Sequence, residues 1–285
     1  MHKLIITADD YGMCESVNRA IETCAASGVV LSTNVMANMD CAGDTAHFRK
    51  AYPRVSVGIH YNFTVGRPIS PASEVASLID EEGYFLSYKR IREKCRAKTY
   101  LKREVEVEMK AQHDRYVSIC GQPDYWNTHE NVHVHPWLYQ LFCDVNMSYG
   151  IRKMRTHRRI YVPSSTGKSD KSWRWTLTNP IKQIMLSQWK KKCECNGVHS
   201  PDGLLVRMNE NDKLNLSYLL NHIDWRKDDV AEIAIHPALD ANNIYFGEIT
   251  DARVKEFECF SSKRVLELAK RAEIEIVGFE AVGEV

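Results

Sequence analysis

Lys3-Leu4-Ile5-Ile6-Thr7-Ala8-Asp9-Asp10-Tyr11-Gly12 reads as an apolar strand that runs straight into two carboxylates. Two like charges about 4 Å apart repel by roughly 4 kcal/mol at an effective dielectric near 20, so a nearby cation is the simplest way to keep both ionised. The same pair can also start a turn and cap the helix that begins near Glu15. The stretch alone supports both readings, and histidines farther along must separate them.

Outward from this strand, Ser16 to Ala26 carries Val17, Ala20, Ile21 and Cys24 at helical spacing, with Gly28 placed to end the helix. Val29 to Met36 reads as a second strand, Ala42 to Ala51 as a helix stopped by Pro53, and Val55 to His60 as a third strand with His60 at its C-terminal end. This alternation argues for a parallel sheet with crossover helices. Tyr61 to Tyr88, which holds Arg67, reads as a long loop of the kind that forms lids or binding walls. Leu101 to Cys120 is a clear helix, broken by Gly121-Gln122-Pro123. Asp124 to Thr128 is a short strand leading into His129-Glu130-Asn131-Val132-His133, followed by a helix over Trp137 to Met147 and a strand candidate at Ile151 to Arg155. Gly203 to Arg207 and Glu232 to Pro237 are further strands, the latter ending at His236. Leu214 to Leu220 and Val254 to Ala272 read as helices, and Ile274 to Phe279 as a last strand. Seven or so strands, with no repeat and no linker, suggest one α/β domain over residues 1–285: a single TIM-like (β/α) barrel, incomplete at that strand count.

The 285 residues are 44% hydrophobic and 26% charged, an ordinary globular composition. A net charge of +1 argues against a globally basic nucleic-acid binder. Nine cysteines are an odd number, and the close pair Cys193 and Cys195 has the wrong spacing for a CxxC site, so they read as reduced thiols. The first apolar run is too short for a signal peptide's apolar segment and no stretch approaches 18 apolar residues, which gives cytoplasmic as the expected location. Nothing sets the oligomeric state, and a homodimer stays open.

In a parallel α/β barrel the C-terminal ends of the strands converge on the face that carries the active site. Four such ends hold ionisable groups: Asp9 with Asp10, His60, His129 with His133, and His236. One histidine at a strand end is more often a hydrogen-bonded structural residue than a ligand, but four ends aimed at one face point to a metal-assisted site. One carboxylate and two imidazoles around a divalent cation leave positions for water and a substrate oxygen. Such an ion acidifies water and polarises a carbonyl, so hydrolysis is the natural outcome. A second carboxylate is then free to act as general base, and a histidine across the cleft can protonate the leaving group. These ligand types suit zinc, magnesium and other divalent ions alike.

Ala8-Asp9-Asp10-Tyr11-Gly12, Val57 to Thr64, Thr128-His129 through Pro136 and Ile235-His236-Pro237 together resemble the YdjC-like carbohydrate deacetylases, the group that includes chitooligosaccharide deacetylases. The resemblance implies an incomplete (β/α) barrel and metal-dependent removal of an acetyl group from an N-acetylated sugar. It also implies that Asp10, His60 and His129 hold the metal, with Asp9 as base and His236 as acid. Where the family usually reads Asp-Ser-His-x-His-x-His, this chain has Asn127-Thr128-His129-Glu130-Asn131-Val132-His133, so two neighbours of the ligand have become amides. Because such neighbours orient metal-bound imidazoles, the departure bears on metal strength and substrate choice. His129 and His133 are four apart and would share a face on a helical turn, which makes Asp10, His129 and His133 a second triad. His133, Asn131, Arg155 and Arg67 stand as candidate substrate-binding residues, and Arg155 could instead orient Asp9.

From Arg152 to Lys192 there are twelve Lys or Arg against the single acid Asp170, which marks a basic insertion at about 156–200. Within it, Pro180 to Lys192 aligns Ile181, Ile184, Met185 and Trp189 on one helical face, after Trp173 and Trp175. This helix could make peripheral membrane contact through residues 180–192, pack on the barrel with a solvated outer face, or receive an anionic substrate such as a sugar nucleotide or lipid-linked sugar. Two rival readings stand beside the deacetylase. One is a metal-dependent phosphoesterase in which the insertion grips phosphate; the other is an inactive carbohydrate-binding barrel, supported by Asn127 and Asn131.

Overall fold

The structure, a computed structural model, describes residues 1–163, 165, 173–207, 214–225, 229–247 and 250–283. Its order is β1 (His2–Tyr11), α1 (Glu15–Ala26), β2 (Ser32–Val35), α2 (Thr45–Ala51), β3 (Ser56–Tyr61), α3 (Tyr88–Ala97), α4 (Lys102–Cys120), β4 (Trp126–Thr128), α5 (Tyr139–Ser148), β5 (Arg159–Val162), α6 (Trp173–Cys195), β6 (Gly203–Arg207), α7 (Leu216–Asn221), β7 (Val230–Ile235), α8 (Asp251–Phe260), α9 (Arg264–Arg271) and β8 (Ile274–Val277). All the ladders are parallel, and the sheet curls in the order β4-β3-β2-β1-β7-β6-β5. β1 is the axis of this half-barrel. One edge pairs with β7 from Lys3 to Ala8, while the other pairs with β8 from His2 to Ile5 and then with β2 from Thr7 onward. Between the free edges of β4 and β5, Lys153 and Met154 make isolated bridges to His199 and Trp126, so the TIM-like barrel is incomplete.

Several elements differ from the sequence expectation for identifiable reasons. Ile151 to Arg155 supplies those two bridges rather than a ladder. α3 buries only Ile91 and Cys95, a stripe too narrow to stand out in the sequence. The helix expected over Val254 to Ala272 is two, α8 and α9, broken where the Ser262 hydroxyl accepts the backbone N–H of Arg264. The basic segment contributes β5 to the sheet, although residues 164 and 166–172 lie outside the described part. α6 begins before Pro180 and takes in Trp173 and Trp175, whose side chains also lie outside the described part. Its expected apolar face is split: Trp189 stacks on Tyr139 with ring centres 4.3 Å apart, whereas Ile181 and Ile184 are exposed. Among the described residues no helix is long and apolar enough to cross a membrane.

The long loop after β3 is a pinned wall. Glu108 on α4 accepts the N–H groups of Ile69 and Ser70, and Gln112 bonds the backbone of Asn62 as both donor and acceptor. These buried partners satisfy loop amides that would otherwise lose water without compensation.

Strand alternation sorts β1 into two sets. Leu4, Ile6 and Ala8 join the main core beneath the helices, while Ile5 faces the lumen with Tyr125, Val277 and Phe279. Tyr125 closes the bottom, stacked on Phe279 at 3.7 Å and bonded through its hydroxyl to Ser32 and the Thr33 carbonyl. Above this apolar floor the inward positions turn polar: Thr7, Asn34, Glu232, then Asp9, His60 and Asn127, all buried.

Behind β4, His133 and His157 form a second buried pair, Nε2 to Nε2 at 3.0 Å, with His133 Nδ1 2.7 Å from the Thr128 hydroxyl. Burial pushes His133 down to about 3 and His157 well below its ordinary range, helped by the nearby Arg155. Both rings are neutral in the fold.

Two tests follow from this packing. A Cβ on Gly58 would come within 2.7 Å of the buried Tyr125 ring, so Gly58→Ala is expected to cost about 1–3 kcal/mol, read as a lower urea midpoint at unchanged m-value. The unfolded chain protonates His133 and His157 below about pH 6.5 while the native fold does not. Stability is therefore retained above that pH and falls as pH drops toward the folded pKa values, by about 1.4 kcal/mol per unit for each ring. Denaturation curves at pH 7 and pH 5 read this slope, and His157→Gln should reduce it.

Candidate metal and catalytic site

Strict alternation along β1 would turn Asp10 away from the lumen that Asp9 faces. The β1–β2 register slips between Ala8 and Tyr11, and Asp10 takes φ +76°, a left-handed conformation rare outside glycine. This bulge brings both carboxylates to the top of the lumen. Local strain of this kind is maintained only where surrounding contacts fix it. Here they do: Gly12 N–H donates to Asn18 at 2.6 Å, and Met13 N–H returns to the Asp10 carbonyl.

Each aspartate has its own arginine. Arg155, fully buried, grips both oxygens of Asp9 at 2.6 and 2.7 Å, and its Nε donates to Glu232 at 2.9 Å. Asn34 adds a bond to Asp9 Oδ1 at 2.6 Å. Burial alone would raise the Asp9 pKa, but the Arg155 charge and hydrogen bonds outweigh it and hold Asp9 well below the usual carboxylate range. Glu232, which shares that guanidinium, is pushed up by burial. On the other side, Arg253 from α8 donates to Asp10 Oδ2 at 2.8 Å and lies 4.6 Å over the Phe246 ring. Burial also opposes charge on Asp10, yet His129 and Arg253 keep its pKa well below the ordinary value. The repulsion assigned from the sequence to a nearby metal is thus already offset by two guanidinium groups.

Asp10 Oδ1 remains available, and two imidazoles converge on it. His60 Nε2 is 3.3 Å away and His129 Nδ1 3.1 Å away, and the three ligand atoms lie within 4.8 Å of one another. Ligands bonded to a cation at about 2.1 Å sit roughly 3.0–3.4 Å apart, a spacing that both imidazole-to-Asp10 distances meet, so two nitrogens and one oxygen are grouped as a divalent ion's ligands would be. Arg253 occupies Oδ2, which leaves Asp10 one oxygen to offer. The second oxygen-and-histidine pair lies alongside: His236 Nε2 is 3.7 Å from Asp9 Oδ2, and the His236 backbone is anchored by Glu256.

Asp9, His60, His129, His236, Arg155 and Arg253 line one cavity of about 650 Å³, walled by Thr64 and Val65 from the pinned loop and by Tyr88, Asn131, Tyr245 and Phe246. Asn131 lines the rim with φ +58°, after Glu130 at φ +50°, so the turn beyond His129 is no regular helix. That is why His133 faces away, toward Thr128 and His157, and does not join Asp10 and His129. It does not line the cavity either. Arg67 lies outside this cavity, exposed and stacked 4.1 Å over Tyr84, beside a smaller hollow that shares Tyr245. Arg155 lines the larger cavity, with its guanidinium engaged by Asp9 and Glu232.

Sequence reasoning missed Arg253, Asn34 and Glu232. Asn34 and Glu232 left a signal, as polar residues at inward positions of otherwise apolar strands. Arg253 left little, because it reaches the site from a helix rather than a strand end.

Comparison with known proteins agrees with this architecture. A carbohydrate deacetylase of Clostridium beijerinckii is 23% identical over 286 residues, covering 98% of this chain and all of that protein. A carbohydrate deacetylase of Mus musculus is 31% identical over 173 residues, 60% of this chain and 54% of that protein, and one of Geobacillus stearothermophilus is 33% identical over 162 residues, 56% of this chain and 63% of that protein. The local matches thus span only about half to two thirds of those relatives. An Enterococcus faecalis V583 structure, provisionally described as a cellobiose-phosphate cleavage protein, superposes with a TM-score of 0.75 at 22% identity over 98% of both chains, which shows the shared fold. The model of the YdjC-like protein family matches residues 3–271, from β1 through α9 and including every residue of the polar cluster, and on that match this chain belongs to the YdjC-like family.

Proposed function

We propose that this protein is a metal-dependent hydrolase that removes the acetyl group from an N-acetylated sugar. The observation that carries the reading is the convergence of Asp10, His60 and His129 on one point, beside a separately held Asp9 and His236 in the same cavity. The carbohydrate deacetylase relatives support the substrate class. In this reading Asp10, His60 and His129 hold one divalent ion, zinc or magnesium, which when bound acidifies water and polarises the acetyl carbonyl. Asp9 is the base. Arg155 keeps it ionised and aimed, and Oδ2, the oxygen facing His236, takes the proton from the attacking water. A carboxylate held this far down is a weak base, so it serves only water that is already acidified. His236 protonates the departing amine nitrogen. Tyr88, Tyr245 and Phe246 offer apolar faces to the sugar, and Asn131 offers a hydrogen-bonding rim.

An anionic acceptor, a sugar nucleotide or lipid-linked sugar, is favoured by a group of cations that begins beside Tyr88, one of the cavity's walls. Arg92 lies 5.8 Å from the Tyr88 ring, and the exposed Lys182 lies within the field of Arg159 and Arg92. No ion pair engages these three among the described residues. The same feature favours the second reading, a phosphoesterase. The exposed Ile181 and Ile184 beside Lys182 are the surface for a peripheral contact with anionic lipid.

Incubating the metal-loaded protein with N-acetylated sugars, sugar nucleotides and a generic phosphoester separates these readings. Acetate release is the expected result; phosphate release would select the phosphoesterase, and neither would leave a binding barrel. Asp9→Asn should lower acetate release by at least about 100-fold with metal content unchanged, whereas Asp10→Asn should lose the metal. The reverse pattern would exchange their roles. Arg155→Met strands Asp9 and Glu232 as buried carboxylates and should cost about 3–5 kcal/mol in urea unfolding, with Arg155→Lys recovering part of the loss.

A further inference from the structure

Asn127, fully buried on β4, places Oδ1 2.6 Å from His60 Nδ1, while its Nδ2 has no hydrogen-bond partner. An amide oxygen only accepts, so in this contact the proton is on Nδ1. His60 Nε2 then directs a lone pair at Asp10 Oδ1, 3.3 Å away. A cation between those two atoms makes both of them ligands. Without one, two electron-rich atoms face each other in a buried site. The other neutral tautomer removes that conflict: Nε2–H donates to Asp10, and Nδ1 becomes an acceptor in need of a donor. A carboxylate at position 127 has no proton to supply. An amide does, because half a turn about Cβ–Cγ exchanges Oδ1 for Nδ2, and Nδ2 is the atom that otherwise lacks a partner.

We propose that Asn127 is a positioning residue that follows His60 between its two tautomers, offering Oδ1 when a divalent cation lies between His60 and Asp10 and Nδ2 when none does. The proposal rests on the metal site described above. It gives the amide that replaces the family's usual carboxylate a specific consequence. Both the loaded and the metal-free sites are fully hydrogen-bonded at His60, and loading needs only a proton relocation and an amide turn. The cost is grip: an uncharged acceptor strengthens the His60 nitrogen that faces the metal less than a carboxylate would, so the ion exchanges more readily.

Nitrogen-15 NMR of histidine-labelled protein reads the ring tautomer directly. In chelator-treated wild-type protein at slightly alkaline pH, His60 is expected to carry its proton on Nε2, and after zinc addition on Nδ1. Asn127→Asp is expected to keep Nδ1 protonated in both states and to bind zinc about 10-fold to 100-fold more tightly. Zinc binding by the wild type with no change of tautomer, or unchanged affinity in a folded Asn127→Asp protein, overturns the proposal and leaves the metal site standing. If Asn127→Asp does not fold, the wild-type pair of spectra decides alone. Failure of the wild type to bind zinc, or magnesium in its place, overturns the metal reading and this proposal with it.

Discussion

A single guanidinium group, that of Arg155, allows the lumen of this half-barrel to be polar. It lies buried between Asp9 and Glu232 in the cavity wall and donates to both. Charges in such a place lose their hydration, and only close, well-aligned partners make up the loss. Because the arginine comes from the segment between β4 and β5 while its partners sit on β1 and β7, it ties the open side of the sheet to its centre. The apolar floor of Ile5, Tyr125 and Phe279 beneath it excludes water from below, so the polar stack opens only upward.

Two adjacent aspartates acquire different chemistry from this arrangement. The bulge at Asp10 turns both toward the cavity, and then separate arginines divide them. Arg155 covers both oxygens of Asp9 and orients it; Arg253 covers one oxygen of Asp10 and leaves the other to face His60 and His129.

Much of this was legible in the sequence because strand periodicity and strand ends obey simple rules. The apolar run of Lys3 to Ala8, the alternation of strands and helices, and the histidines at 60, 129 and 236 follow from patterns of two residues and of one chain direction. Legibility failed where geometry departs from those periods. The left-handed pair Glu130 and Asn131 breaks the helical turn that would have put His133 with His129. Arg253 belongs to a helix whose inward face the sequence describes only as amphipathic, and nothing local links it to a carboxylate 243 positions away. The bulge at Asp10 has no residue signature, since aspartate tolerates the conformation without requiring it.

The placement of β1 has a temporal consequence. Its neighbours in the sheet are β8 and β2 on one flank and β7 on the other, and both β7 and β8 lie more than two hundred positions along the chain. Closing loops of that size carries a large entropic penalty before any contact rewards it, and domains dominated by such contacts fold slowly. The polar lumen is therefore completed late: until β7, α8 and β8 are in place, β1 lacks two of its ladders and Asp10 lacks Arg253. A lesion far from the cavity, in α9 or β8, would reach the paired carboxylates of β1 through assembly order rather than through any contact with them.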